Sequence, residues 1–182
     1  MLKLKNQDVV YKSPFFEVQK LDMTENGQDF HHPFYRIHCA DWINVLPITE
    51  NNEAVLIRQY RAGSNSMVLE TPGGMVEASE HKDPTLTAVR ELEEETGYTT
   101  QKILLMASLN PNPALMNNTI HYFLAMGCKI QKDRKHFPDA AERIEVVTVP
   151  VSQLQEMVHL GKITHSLSAL SICLARKYLK EI

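Results

Sequence analysis

The first forty or so residues alternate loosely between apolar and polar positions, the period-two signature of strands with one face covered. Residues 15–21 and 34–39 carry this pattern most clearly, and Glu25-Asn26-Gly27 between them supplies turn chemistry, so an antiparallel pair is expected there. A second strand-rich block follows. Residues 42–48 and 54–60 are separated by the polar run Thr49-Glu50-Asn51-Asn52-Glu53, another hairpin signal. Residues 66–71 read as a short strand running into a Pro72-Gly73-Gly74 turn.

The period then lengthens. Asp83-Pro84 is a helix start, with an aspartate at the N-cap and proline at the first helical position. Leu86, Val89 and Leu92 form the expected apolar stripe, and Gly97 stands where a C-terminal cap belongs. Residues 103–109, 120–128 and 145–149 read as strands. After Pro150, Ser152 and Gln155 have capping-box spacing for a helix closed near Gly161. A last helix is expected over 166–179, with Leu167, Leu170, Leu174 and Tyr178 at helical spacing. Mixed strands with a few helices predict an α+β chain, layered α/β/α, and not a doubly wound parallel sheet.

Composition narrows this only a little. The 182 residues carry a formal net charge of −3, which speaks against a general nucleic-acid binder but not against a small anionic substrate. Cys39, Cys128 and Cys173 are odd in number, widely spaced and without a CxxC pair. Reduced, mostly buried thiols in a cytoplasmic protein are therefore expected. Neither a secretory leader nor an apolar run of bilayer-spanning length is expected.

The run Arg90-Glu91-Leu92-Glu93-Glu94-Glu95 carries the candidate chemistry. At about 100° per residue, Leu86, Val89 and Leu92 fall within an arc of roughly 120°. Glu91, Glu94 and Glu95 fall within roughly 100° on the other side, whereas Glu93 lies inside the apolar arc. Glu91 and Glu95 are like charges at i,i+4, which disfavours a helix by roughly 0.2–0.5 kcal/mol. They also sit toward the helix end where the macrodipole repels anions. A hard divalent cation reverses that sign, because magnesium and manganese favour carboxylate oxygens. Arg90 can hold Glu91 in place, and glycines ahead of the helix allow close backbone approach.

This segment resembles the Nudix box, G-x5-E-x7-R-E-U-x-E-E-x-G-U with U apolar. Gly74, five residues and Glu80 match the first part; Arg90 to Tyr98 match the second, with Tyr98 as the final U. The spacer departs, with nine residues between Glu80 and Arg90 instead of seven. The surplus pair is expected outside the helix, which leaves the role of Glu80 open. Beyond the box, Arg58-Gln59-Tyr60-Arg61 and Leu69-Glu70-Thr71-Pro72-Gly73-Gly74 resemble the ADP-ribose pyrophosphatase branch. Asn110-Pro111-Asn112-Pro113-Ala114, with Asn117, Asn118 and His121 nearby, is closer to nucleoside diphosphate sugar hydrolases of wider specificity.

The resemblance implies an α/β/α Nudix sandwich with a mixed sheet over 42–182, preceded by a small antiparallel β region over 1–41 that serves dimerisation and substrate closure. It implies Mg2+, or Mn2+, held by Glu91, Glu94, Glu95 and the Gly73 carbonyl. Arg61, Glu70, Arg58 and Asn118 are the implied substrate contacts. Glu142 is the implied general base, with Asp139 as the alternative, and Arg90 and Glu94 assist. The implied reaction is hydrolysis of the pyrophosphate of a nucleoside diphosphate sugar, ADP-ribose favoured. The partners expected are this small molecule and a second copy of the chain, with no nucleic acid and no membrane. Two other readings stay open: a nucleotide-sensing or partner-binding module of weak catalysis, and a hydrolase of GDP-mannose or a dinucleoside polyphosphate.

Overall fold

The computed structural model describes residues 1–137 and 143–179. The chain divides into two compact units, residues 1–41 with 109–120, and residues 42–108 with 121–182.

The first unit is built on β1 (Leu2–Lys12), β2 (Phe16–Glu25), β3 (Gln28–Asp29) and β4 (Phe34–Cys39). β2 is the central strand and pairs antiparallel with each of the other three. Asn26 and Gly27 both take positive φ, of 54° and 83°, which turns β2 into β3. Only Gln19 of β2 is buried, and every residue of β1 is exposed. The returning segment 109–120 docks on β4, where Ile37 N–H donates to the Leu115 carbonyl at 2.7 Å.

The second unit contains β5 (Trp42–Thr49), β6 (Glu53–Arg61), β7 (Ser66–Glu70), β8 (Gly73–Met75), β9 (Tyr98–Thr99), β10 (Lys102–Leu109), β11 (Ile120–Ile130) and β12 (Ile144–Pro150). Its sheet runs β10-β11-β5-β6-β12, with β7 on β6, β8 on β5 and β9 on β11. Strands buried on both faces read as nearly continuous apolar runs, and β5 is buried from Ile43 to Ile48. Alternate residues then enter two separate cores. Ile43, Val45, Phe123 and Ala125 pack with Ala88 and Leu92 of α1 (Pro84–Thr96). Leu46, Ile48, Leu56 and Leu124 pack with Leu154, Ile172 and Ala175 from α2 (Leu154–His159) and α3 (Ser166–Ala175). Helices on both faces of a mixed sheet make this unit an α/β/α sandwich.

Several local expectations are corrected. Gly73 and Gly74 do not form a turn; they lie in β8, opposite Asn44 and Ile43 of β5. A Cβ on Gly73 would come within 2.5 Å of the Ile43 carbonyl oxygen, so glycine is what lets these backbones pair this closely. Leu86 is 56% exposed, and the apolar contact of α1 runs through Ala88 and Leu92. The Ser152–Gln155 capping box does not form, because a 3-10 turn over Val151–Gln153 leads into α2. α3 ends at Ala175, and its buried stripe is Ser168, Ser171, Ile172 and Ala175, with Leu170 and Tyr178 exposed. Small residues bring that helix close to the sheet. Of the three thiols, Cys128 is buried and Cys173 exposed. No helix among the described residues is long and apolar enough to cross a membrane.

Candidate active site

α1 begins and ends where its sequence dictates. Asp83 accepts a hydrogen bond from the Thr85 N–H at 3.1 Å, Pro84 takes the first turn, and Gly97 closes the helix at φ 74° with its N–H on the Glu93 carbonyl. Within those limits Arg90 gathers the acidic residues. Its Nη1 lies 2.8 Å from Glu94 and 3.0 Å from Glu91, and its Nη2 lies 3.3 Å from Glu80. Burial opposes the charge on Arg90, but these carboxylates outweigh it and hold the guanidinium more firmly protonated than usual.

Glu80 also accepts from the Thr87 hydroxyl at 2.8 Å. Burial would raise its pKa, but Thr87 and Arg90 lower it below the usual carboxylate range. Residues 78–82 form turns ahead of α1, and Glu80 still meets Arg90 despite the longer spacer.

The other carboxylates meet β8. Glu95, 5% exposed, accepts the Gly73 N–H at 2.8 Å. The Glu91 carboxylate lies over Gly74, where an added Cβ would come within 2.5 Å of Glu91 Cδ. Glu93 behaves differently. It is buried and accepts the backbone N–H groups of Lys135 and His136, which bring its pKa down. Arg134 from the same stretch donates to the Glu94 carbonyl, placing a cation at the helix end where the dipole favours one. Arg90 and Arg134 thus answer part of the crowding that pointed to a bound cation.

Among the described residues, no three acidic, histidine or cysteine side chains stand together as a ready metal cage. The donor set nevertheless fits a hard divalent cation. Glu91 and Glu95 bring carboxylate oxygens, the donors such a cation favours, against β8, where the missing Cβ of Gly74 admits the Glu91 carboxylate.

A second cluster lies at the end of β7. Glu70 is completely buried, and its Oε1 accepts from Arg61 Nε at 2.7 Å. His165 Nδ1 lies 3.0 Å from Glu70 Oε2 and 2.9 Å from Ser168 Oγ. Burial would raise the Glu70 pKa, but His165 and Arg61 outweigh it and hold the group ionised below its usual range. Ser168 Oγ accepts the Thr71 N–H at 2.9 Å, and Thr71 Oγ1 lies 2.9 Å from Asn44 Oδ1.

A model of the family described as "NUDIX domain" matches residues 41–166. The chain belongs to the Nudix family. It is 28% identical over 130 residues to the ADP-ribose pyrophosphatase of Bacillus subtilis strain 168, covering 71% of this chain and 69% of that protein. It is 30% identical over 125 residues to the GDP-mannose pyrophosphatase of Escherichia coli O1:K1 / APEC, covering 65% of this chain and 64% of that one. A crystal structure of an ADP compounds hydrolase superposes with a TM-score of 0.82 at 20% identity, covering 98% of this chain and 94% of the other. That last likeness supports the Nudix fold. With the family match, the chain is a Nudix hydrolase.

Within the Nudix unit, Gly73, Glu91, Glu94, Glu95 and Arg90 are brought together, and Arg61 is joined to Glu70. Arg58 is not with them. Three positions from Arg61 on β6, it leaves the opposite face of the sheet, where it pairs with Glu145 at 2.9 Å. Asn118 belongs to the other unit and is 2% exposed, its amide donating to the Ala40 carbonyl at 3.3 Å. Glu142 and Asp139 lie outside the described residues. Sequence reasoning missed the link of His165 and Ser168 to Glu70. A histidine and serine at i,i+3 beside a helix start were the signal, but nothing local names their partner.

Proposed function

We propose that this chain hydrolyses the pyrophosphate of a nucleoside diphosphate sugar, ADP-ribose favoured, with Mg2+ held by Glu91, Glu94, Glu95 and the Gly73 carbonyl. The observation that carries the reading is the seating of Glu91 and Glu95 on β8, with Arg90 orienting Glu91. A divalent cation there would screen the phosphate oxygens and acidify a water. Water adds to one phosphorus and the bridging P–O bond breaks, releasing a nucleoside monophosphate and a sugar phosphate. Arg61, oriented through its Nε, presents its terminal nitrogens to a phosphate. Glu142, or Asp139, takes the proton from water.

Glu70 has no exposed surface, so its part is to orient Arg61 and not to touch substrate. Glu80 still reaches Arg90 despite the longer spacer, which favours a working hydrolase over a binding module. Incubation with Mg2+ and a panel including ADP-ribose and GDP-mannose is expected to release AMP from ADP-ribose most rapidly. GMP released faster than AMP would favour the second reading, to which the relative from Escherichia coli lends weight. No nucleotide release from a protein shown to bind metal would refute both.

The chain is proposed to act as a homodimer in the cytoplasm, without nucleic-acid or membrane partners. Exposed Leu2, Leu4, Val9, Val10 and Tyr11 on β1 support association of the N-terminal unit. Light scattering at micromolar concentration should give twice the chain mass, and a monomer would count against it.

A further inference from the structure

Glu70 is an ionised carboxylate with no exposed surface, and such a group is costly unless both oxygens meet positive partners. Oε1 has Arg61 Nε. Oε2 completes no hydrogen bond among the described residues. The cationic or N–H partner within reach of it is His165 Nδ1, 3.0 Å away.

The contact between Nδ1 and Oε2 decides which form of His165 fits. If Nδ1 were bare, Ser168 could donate to it, and its lone pair would face a buried anion. If Nδ1 carries the proton, the N–H dipole faces Oε2. Ser168 Oγ then accepts from Nδ1–H as well, and the Thr71 hydroxyl, 2.8 Å from Ser168 Oγ and 2.9 Å from Asn44 Oδ1, donates to either. The Thr71 N–H donates to Ser168 Oγ in either case. Only the second arrangement turns an N–H, and not a lone pair, toward the buried anion.

We propose that His165, protonated at Nδ1, is a positioning residue that holds Glu70 so that Glu70 holds Arg61. Fixing Oε2 stops the carboxylate from rotating away from Arg61 Nε. The terminal nitrogens of Arg61, on a side chain 45% exposed, are then presented in one orientation. His165 itself need not touch substrate. The inference rests on the proposed role of Arg61 as a phosphate contact.

Two measurements on the full chain test it. Nitrogen-15 NMR of the histidines should show His165 as the Nδ1–H form. The Arg61 Nε–H resonance should be protected from exchange in the wild type, lost in His165→Ala and retained in His165→Asn, whose amide can replace the donor. His165→Gln, with its donor displaced, should behave like the alanine variant and serves if alanine does not fold. An unprotonated Nδ1, or an unchanged Arg61 signal in both Ala and Gln variants, overturns the proposal. These readings need no turnover, so an inactive wild type would count only against the proposed function.

With the substrate that the panel selects, His165→Ala should raise KM roughly tenfold, the scale of a lost charge-assisted contact, while kcat stays within about twofold. The effect should vanish in an Arg61→Ala background, because coupled residues are not additive. Additive losses would overturn the coupling.

Discussion

The Gly73 N–H donates to Glu95 Oε2 at 2.8 Å, so the strand ahead of the helix is fastened to one of the carboxylates proposed to bind metal. The same oxygen type survives in glutamine. Glu95→Gln is therefore expected to keep the fold within about 1 kcal/mol, while kcat with Mg2+ falls on the order of a hundredfold or more. Thermal melts beside steady-state kinetics separate the two. Turnover like the wild type would mean that Glu95 does not hold the metal.

The two glycines of β8 should fail in different ways. A Cβ on Gly73 meets the Ile43 backbone, which cannot move aside, so Gly73→Ala should lower stability by roughly 1–3 kcal/mol. A Cβ on Gly74 meets only the end of the Glu91 side chain. Gly74→Ala should leave the melt nearly unchanged but weaken metal affinity, measured by titration calorimetry with Mn2+. Equal losses of stability in both variants would contradict this separation.

Arg90→Lys should act as a severe change despite keeping the charge. One ammonium cannot span Glu80, Glu91 and Glu94 as the guanidinium does. Loss of an orienting partner behind a metal ligand costs roughly 10–100-fold in affinity or activity. An apparent metal constant unchanged in this variant would show that Arg90 does not orient Glu91.

Acid should destabilise the protein through Glu70, Glu80 and Glu93. All three hold their protons less tightly when folded than usual, for the partners already named. The unfolded chain therefore binds more protons as pH falls. Their contribution is fully present above the unfolded value, roughly pH 4.3, and is lost as pH drops through the lower folded values. Urea midpoints from pH 7 to 3 should stay flat at first and then decline. Glu93→Gln should make the decline shallower, and an unchanged profile would remove Glu93 from the account.

Much of α1 was legible because its signals are local. Asp83-Pro84, Gly97 and the sequence from Arg90 to Glu95 each state their part within a few residues. Their burial was not legible. Leu86 looked like core but faces solvent, and Glu93, in the apolar arc, is buried because a distant backbone supplies its donors. The stripe of α3 was misread for a related reason: Ser168 and Ser171 are polar by composition yet lie against the sheet. Arg58 could have been separated from Arg61 by counting positions along a strand. The His165–Glu70 contact could not, since the two lie 95 positions apart in sequence.

Asn44 ties two chemical regions to a single length. It pairs with Gly73 across the sheet and its side chain meets Thr71. Between Glu70 and Gly73 the chain advances by three residues, roughly 10 Å at full extension. The carboxylate that holds Arg61 and the strand under Glu91 and Glu95 thus stand no farther apart than that along the chain. Under the proposed function a substrate meets Arg61 at one end and the metal at the other, and a longer phosphate chain is expected to buckle or overhang between them.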